Sequence, residues 1–129
     1  MGVWMVRAIL VEDNYEFRES FKKILSHRYP FIEVAEAENG EEAMRGIDLS
    51  PPDLIFMDIH LPGKSGLQLT QEIKARHPNT VIIVLSNNDL TEYRESAYRS
   101  GADYFVAKDS SLGDFFSLIE WITQNGIKS

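Results

Sequence analysis

Five short apolar runs alternate with five amphipathic stretches along the chain. That alternation limits the fold more than any other feature of the sequence. The runs are Val6–Val11, Ile32–Ala37, Leu54–Met57, Val81–Leu85 and Ala102–Ala107. Each carries β-branched or aromatic residues and is too short for an ordinary helix, so each reads as a strand. The runs at 6, 54 and 81 are almost continuously apolar apart from Arg7, as strands covered on both faces must be. Ile32-Glu33-Val34 alternates, and Ala102-Asp103-Tyr104 is more polar, so those two are expected at sheet edges.

The stretches between the runs carry helix signals. Asn39-x-x-Glu42, Ser65-x-x-Gln68, Asp89-x-x-Glu92 and Ser111-x-x-Asp114 resemble capping boxes. Phe17, Phe21, Ile24 and Leu25 recur at helical spacing in the first helix. Leu112, Phe115, Phe116, Ile119 and Ile122 do so in the last. Both stripes are expected to face the core. Pro30, Pro51-Pro52, Pro78 and Gly101 end helices or open strands. Five βα units without a repeat, linker or low-complexity tract give a mostly parallel sheet in a three-layer α/β domain. At 129 residues the chain is read as one domain, 1–129.

Composition excludes several classes of function. Lys and Arg number 13 against 20 Asp and Glu, a formal charge of −7. That balance disfavours phosphate-backbone binding, so this chain is not expected to bind nucleic acid directly, and it disfavours an anionic membrane surface. There is no cysteine, which removes disulfides, thiolate metal sites and cysteine nucleophiles and suits a reducing cytosol. No apolar run approaches the roughly 20 residues of a membrane span. The start carries no basic leader or small-residue cleavage site, and Val6 stands where a myristoylation signal needs Ser or Thr.

The polar residues that carry chemistry fall where strands end. Glu12-Asp13 follow the first strand, Asp58 the third, Ser86-Asn87 the fourth and Lys108 the fifth. In an open α/β sheet, ligands bind outside the carboxyl ends of the strands, where the strand order reverses. Three carboxylates, a hydroxyl and an ammonium are therefore expected to converge there. Two carboxylates about 4 Å apart repel by about 4 kcal/mol at an effective dielectric near ~20, so the cluster must hold protons or a cation. Hard oxygen donors favour Mg²⁺ over zinc. Lys108 is suited to pair with Asp58 at rest and with an added phosphate afterwards, and Ser86 to donate to the same phosphate. The chemistry indicated is phosphoryl transfer onto a carboxylate. A single Asp after a strand carries little information, because surface loops are polar anyway. Polar residues at four strand ends together are hard to reach by chance.

The segments Ile9-Leu10-Val11-Glu12-Asp13-Asn14, Met57-Asp58-Ile59-His60-Leu61-Pro62-Gly63-Lys64-Ser65-Gly66, Leu85-Ser86-Asn87 and Gly101-Ala102-Asp103-Tyr104-Phe105-Val106-Ala107-Lys108 carry a resemblance. Together they resemble the receiver domain of two-component response regulators, over nearly the whole chain. The resemblance implies a doubly wound, flavodoxin-like (βα)5 fold of strand order 2-1-3-4-5. It implies that Asp58 is the phospho-acceptor and that Glu12, Asp13, Asp58 and the backbone carbonyl of His60 bind Mg²⁺. Ser86 matches the switch hydroxyl, Tyr104 the switch aromatic and Lys108 the invariant lysine. The implied phosphoryl donor is a histidine kinase or a histidine phosphotransfer protein, in the cytoplasm. The implied role is a switch controlling an output domain or partner, with self-catalysed phosphorylation and autodephosphorylation rather than enzymatic turnover. Asp109 follows the lysine, where many receivers have a proline in a cis peptide, so the geometry of the Lys108–Asp109 bond stays open. Lys108-Asp109-Ser110 resembles the subgroup whose receivers precede a helix-turn-helix output domain.

His60 either tunes water attack on a phosphate with its ring or serves through its backbone alone. His27 and His77, beside prolines, suit helix ends. Gly63 and Gly66 suit turn geometry in the loop after Asp58, and Lys22-Lys23 a solvated face. Trp121 projects about 150° from the apolar stripe of the last helix, a position suited to contact with an output domain or a second receiver. A flavin carrier of the same fold would need a Ser/Thr/Gly-rich phosphate loop where Glu12-Asp13-Asn14 stands. An aspartyl-phosphate hydrolase would need an acid where His60 stands. A phosphorylation-independent docking receiver would not need the full set of acids with Lys108.

Overall fold

Strand β1 (Val6–Val11) leads into helix α1 (Tyr15–Arg28), and four further strand–helix pairs follow in a computed structural model that describes residues 5–87 and 90–127. They are β2 (Ile32–Ala37), α2 (Gly40–Leu49), β3 (Leu54–Asp58), α3 (Gly66–Arg76), β4 (Val81–Ser86), α4 (Thr91–Arg99), β5 (Tyr104–Ala107) and α5 (Leu112–Trp121). The last helix continues into one π-helical stretch, Ile122–Gly126. All paired strands are parallel and stand in the order β2-β1-β3-β4-β5.

The burial pattern follows the sequence pattern. Every residue of β3 and β4 is buried, whereas the edge strand β2 alternates and β5 is half-buried at every second position. Alternate side chains build two cores. Ile9, Ile55, Met57, Ile82, Val84 and Phe105 pack on one face against Ile47 of α2, Leu69 and Ile73 of α3 and Ala97 of α4. Leu10, Leu54, Phe56, Ile83 and Leu85 pack on the other against Leu25 of α1 and Phe115 and Ile119 of α5.

Three boundaries differ from the sequence reading. β3 and β4 each run one residue further and take in Asp58 and Ser86 as their last residues. β5 begins at Tyr104, not Ala102. Gly101, at φ 104°, turns the chain out of α4, and Ala102 donates back to the Ala97 carbonyl before the strand begins. Leu112, expected in the buried stripe of α5, is exposed at the mouth of a small apolar cavity.

The caps also differ in kind. Ser65 and Gln68 form a reciprocal capping box, while Asn39 and Ser111 each accept one amide at the third helical position. Helix α4 has Leu90 at its N-cap position and no side-chain cap bond there, and Asp89 lies outside the described residues. No helix among the described residues is long and apolar enough to cross a membrane.

Candidate functional site

β1 neighbours both β2 and β3, so the chain leaves β1 in one direction and returns to its other side. The carboxyl ends of β1 and β3 flank the resulting crevice. Glu12 follows β1 directly, and Asp58 closes β3. Glu12, Asp13 and Asp58 each offer a carboxylate oxygen, and these atoms all lie within 4.8 Å of one another. Glu12 and Asp58 are buried, while Asp13 is exposed. They line an open depression of about 300 Å³ together with Phe17, Asn87 and Lys108.

Local sequence fixes these positions. Asn14 caps α1 by accepting the Phe17 amide at 2.9 Å, and its own amide donates to Glu12 Oε2 at 3.2 Å. The Glu12 amide donates to Ala37 at the end of β2. Lys108 is held by its own amide, which donates to the Ser86 carbonyl at 2.8 Å. Its ammonium donates to Glu12 Oε1 at 2.6 Å and lies 3.2 Å from Asp58 Oδ1. The lysine is thus shared between two carboxylates, and its shorter contact is to Glu12 rather than to the expected partner Asp58. Burial pushes the Glu12 carboxyl above its ordinary value. Lys108 opposes the rise, and the Asp58 charge adds to it. Among the described residues one ammonium stands with three carboxylates, and hard anionic oxygens of this kind fit a divalent cation of the Mg²⁺ or Ca²⁺ class.

Ser86 is fully buried at the end of β4, one residue past Leu85, the partner of Asp58 across the ladder. It does not line the depression; Asn87 does. His60 is exposed in the wall of the depression, with its ring 6.0 Å edge-on from that of Tyr93 in α4. His77 caps the end of α3, as its position beside Pro78 indicates, and its ring meets Asp48 at 3.2 Å.

The expected hand-off from Ser86 to Tyr104 needs correction. In β4, Ile82 and Val84 face the α2–α3–α4 core, and period-two alternation puts Ser86 on that side. Tyr104 packs with the α1–α5 core, on the other side of the sheet. The β5 aromatic residue on the Ser86 side is Phe105, which is buried and has the Arg94 guanidinium 4.6 Å over its ring. Ser86 and Phe105 therefore share one face of the sheet, and Tyr104 lies on the other. Tyr104 instead meets Trp121 edge-on, with ring centroids 6.4 Å apart, and Trp121 remains 54% exposed.

One residue of the site escaped the sequence reading, and another has a different reason from the one expected. Arg18 is 6% exposed, although its position in α1 resembles a surface one. It donates to the Glu12 carbonyl at 2.7 Å and pairs with Glu36 and Glu38 at the end of β2, tying the acidic loop to the sheet edge. The only available signal was an arginine placed between apolar stripe positions. Gly66, expected to serve turn geometry, has no positive φ and instead gives room to a neighbouring strand. A Cβ there would stand 1.9 Å from the Asp58 carbonyl oxygen, so the glycine allows α3 to approach the acceptor strand. Turn geometry is the reason for Gly63 alone, at φ 79°. No peptide bond among the described residues is cis, so the Lys108–Asp109 bond is trans.

Comparison with known proteins adds a family. The model of the response regulator receiver domain matches residues 8–120. The transcriptional regulatory protein DegU of Brevibacillus brevis is 29% identical over 121 residues, which cover 94% of this chain and 51% of that protein. The transcriptional regulatory protein YdfI of Bacillus subtilis is 30% identical over 116 residues, 90% of this chain and 54% of the relative. The crystal structure of a LuxR-family two-component response regulator from Aurantimonas sp. SI85-9A1 superposes with a TM-score of 0.86 at 28% identity, covering 95% of this chain and 88% of that one. The chain spans about half the length of these two curated relatives.

Proposed function

The chain belongs to the response regulator receiver domain family, and from that premise we propose that it takes a phosphoryl group onto Asp58 and uses it as a conformational switch. The observation that carries the proposal is the Lys108 ammonium shared between Glu12 and Asp58 in a pocket with an excess of carboxylates. A carboxylate oxygen of Asp58 attacks phosphorus. The bond from phosphorus to the donor nitrogen or oxygen breaks, its electron pair leaves with the donor, and an acyl phosphate remains on Asp58. Lys108 supports the charge spread over the phosphoryl oxygens, a role worth ~10²–10³ in rate for a single preorganised donor.

Glu12, Asp13, Asp58 and the His60 backbone carbonyl would hold Mg²⁺, which when bound neutralises the carboxylates and the incoming anion. The donor class is a histidine kinase or histidine phosphotransfer protein, and the phosphoryl group returns to water without turnover of a separate substrate. Ser86 moves toward the phosphoryl group in the phosphorylated state, and Phe105 beneath Arg94 takes up the released space.

The curated relatives DegU and YdfI are transcriptional regulatory proteins of which the matched residues make up 51% and 54%, which supports an output domain that controls transcription. The formal charge of −7 supports a receiver that does not itself touch DNA. The exposed Trp121 on α5, braced by Tyr104, is the proposed contact for an output domain or second receiver. The absence of cysteine supports work in the cytoplasm.

The test is intact mass after incubation with a small acyl phosphate. One phosphoryl group is expected with Mg²⁺, none with chelator and none in Asp58→Asn. Unchanged phosphorylation in Asp58→Asn removes the assignment.

A further inference from the structure

The Lys108 ammonium has a third neighbour that the phosphoryl-transfer reading leaves without a role. The ring of Phe17 lies beneath it, 4.4 Å from Nζ to centroid. The ring is not placed there loosely. The backbone amide of Phe17 is the group that Asn14 caps, at 2.9 Å, so the first turn of α1 holds the residue at its root. The ring stacks on Phe21, with centroids 5.5 Å apart and planes 27° from parallel. Phe21 in turn packs edge-on against Phe56 of β3 and tilted against Phe115 of α5. A continuous aromatic column thus runs from the core to the floor of the acid pocket. Phe17 and Lys108 both line that pocket and an apolar cavity of about 130 Å³ on the Phe21 side, so the pair stands between the two.

An ammonium over a ring face is attracted by the ring quadrupole, more strongly where water is excluded. The Lys108 side chain is only 10% exposed. Glu12 and Asp58 draw the ammonium toward the acids, and the ring supplies a face that carries no formal charge and accepts no proton. A ring keeps its place when those carboxylates are engaged elsewhere, because its own supports are Phe21 and the Asn14 cap.

We propose that Phe17 is a positioning residue for phosphoryl transfer, holding the Lys108 ammonium over its ring face so that the lysine stays aimed at the phosphoryl oxygens of Asp58. This rests on the reading of Asp58 as acceptor.

The experiment separates the ring's charge distribution from its bulk. The full chain is prepared with Phe17→Leu, with Phe17→Tyr and with phenylalanine of rising ring fluorination at position 17. Two quantities are read: the NMR shift of the Lys108 ε-methylene protons, and the rate of phosphorylation by acetyl phosphate at saturating Mg²⁺. Wild type is expected to show ε-methylene signals moved upfield by the ring. Phe17→Leu keeps an apolar wall but is expected to lose that shift and about tenfold in rate, while Phe17→Tyr stays within about twofold of wild type. The rate is expected to fall stepwise with fluorine number, which a merely space-filling ring would not produce. A wild-type rate in Phe17→Leu, or a rate indifferent to fluorination, overturns the proposal. If wild type takes no phosphoryl group, the acceptor reading fails. The Lys108 signals still decide the contact, since an unshifted ε-methylene in wild type overturns it alone.

Discussion

Two lysines stand at opposite ends of the same sheet, and their surroundings differ in the way that separates a structural charge from a working one. Lys74, near the end of α3, donates to the Thr80 carbonyl at 2.7 Å and the Pro78 carbonyl at 3.3 Å, and it pairs with Asp103 Oδ2 at 2.8 Å. Asp103 is itself satisfied, since the same oxygen accepts the Ile82 amide at 2.8 Å. One cation meets one anion, and the other partners are neutral carbonyls. Among the described residues, Lys108 meets two carboxylates with a third beside them, and its ammonium also lies over a ring. The amino end of the sheet closes its charges and the carboxyl end leaves an anionic excess. Such an excess costs stability unless something arrives to neutralise it, which is the signature of a site built for a ligand.

The sharpest way to break the comparison is to remove each ammonium while keeping its stem. Lys108→Met is expected to slow phosphorylation of Asp58 by about 100-fold or more at saturating Mg²⁺. Lys74→Met is expected to leave that rate within about twofold. A rate loss in Lys74→Met comparable to that in Lys108→Met would end the distinction. Next in size is Gly66→Ala. The added Cβ meets backbone, not a flexible side chain, so unfolding in urea should show a loss of about 3 kcal/mol. A loss below about 1 kcal/mol would mean that α3 can withdraw from the acceptor strand without consequence.

Stability measurements on Lys74→Met come third. Its bonds to two carbonyls and a partly exposed carboxylate are expected to be worth about 2 kcal/mol once solvent screening of Asp103 is allowed for. The smallest effect belongs to pH. Burial raises the Glu12 carboxyl above its ordinary value of 4.5. Between 4.5 and the folded-state value the native state binds more protons than the unfolded chain, so stability falls as pH rises through that window. Without Mg²⁺, wild type should therefore lose stability relative to Glu12→Gln as pH climbs from 4.5, with no further change above the folded-state value. Urea midpoints of the two proteins across that range check the sign. A difference that moves in favour of wild type would reverse the account of Glu12.

Much of the site was legible in the chain because strand ends are marked locally. A buried parallel strand must be apolar until it leaves the sheet, so the first polar residue after each run reports where the chain emerges. That is why Glu12, Asp58, Ser86 and Lys108 could be read as neighbours in space although the first and last are 96 positions apart. Arg18 was not legible, because its burial depends on Glu36 and Glu38 from another strand closing over it. Nor was Gly66, whose reason is a carbonyl eight residues back that only the β3–α3 packing brings near.

Periodicity and composition by themselves determined the five βα units, the buried centre and open edges of the sheet, and the meeting of acids and lysine at one end. These follow from local rules, since apolar spacing sets the element and polar residues end it. Only the tertiary structure decided which side of the sheet each neighbour faces and which partner each charge takes. Tyr104 and Phe105 are adjacent aromatics, and alternation guarantees that they point apart. Which of them lies with Ser86 depends on the pairing of β5 with β4 and on the helices packed over each face. Lys108 meets Glu12 more closely than Asp58, above the ring of Phe17, because three elements close around it at once. A lysine's four-carbon stem can reach any of them, and packing leaves one arrangement.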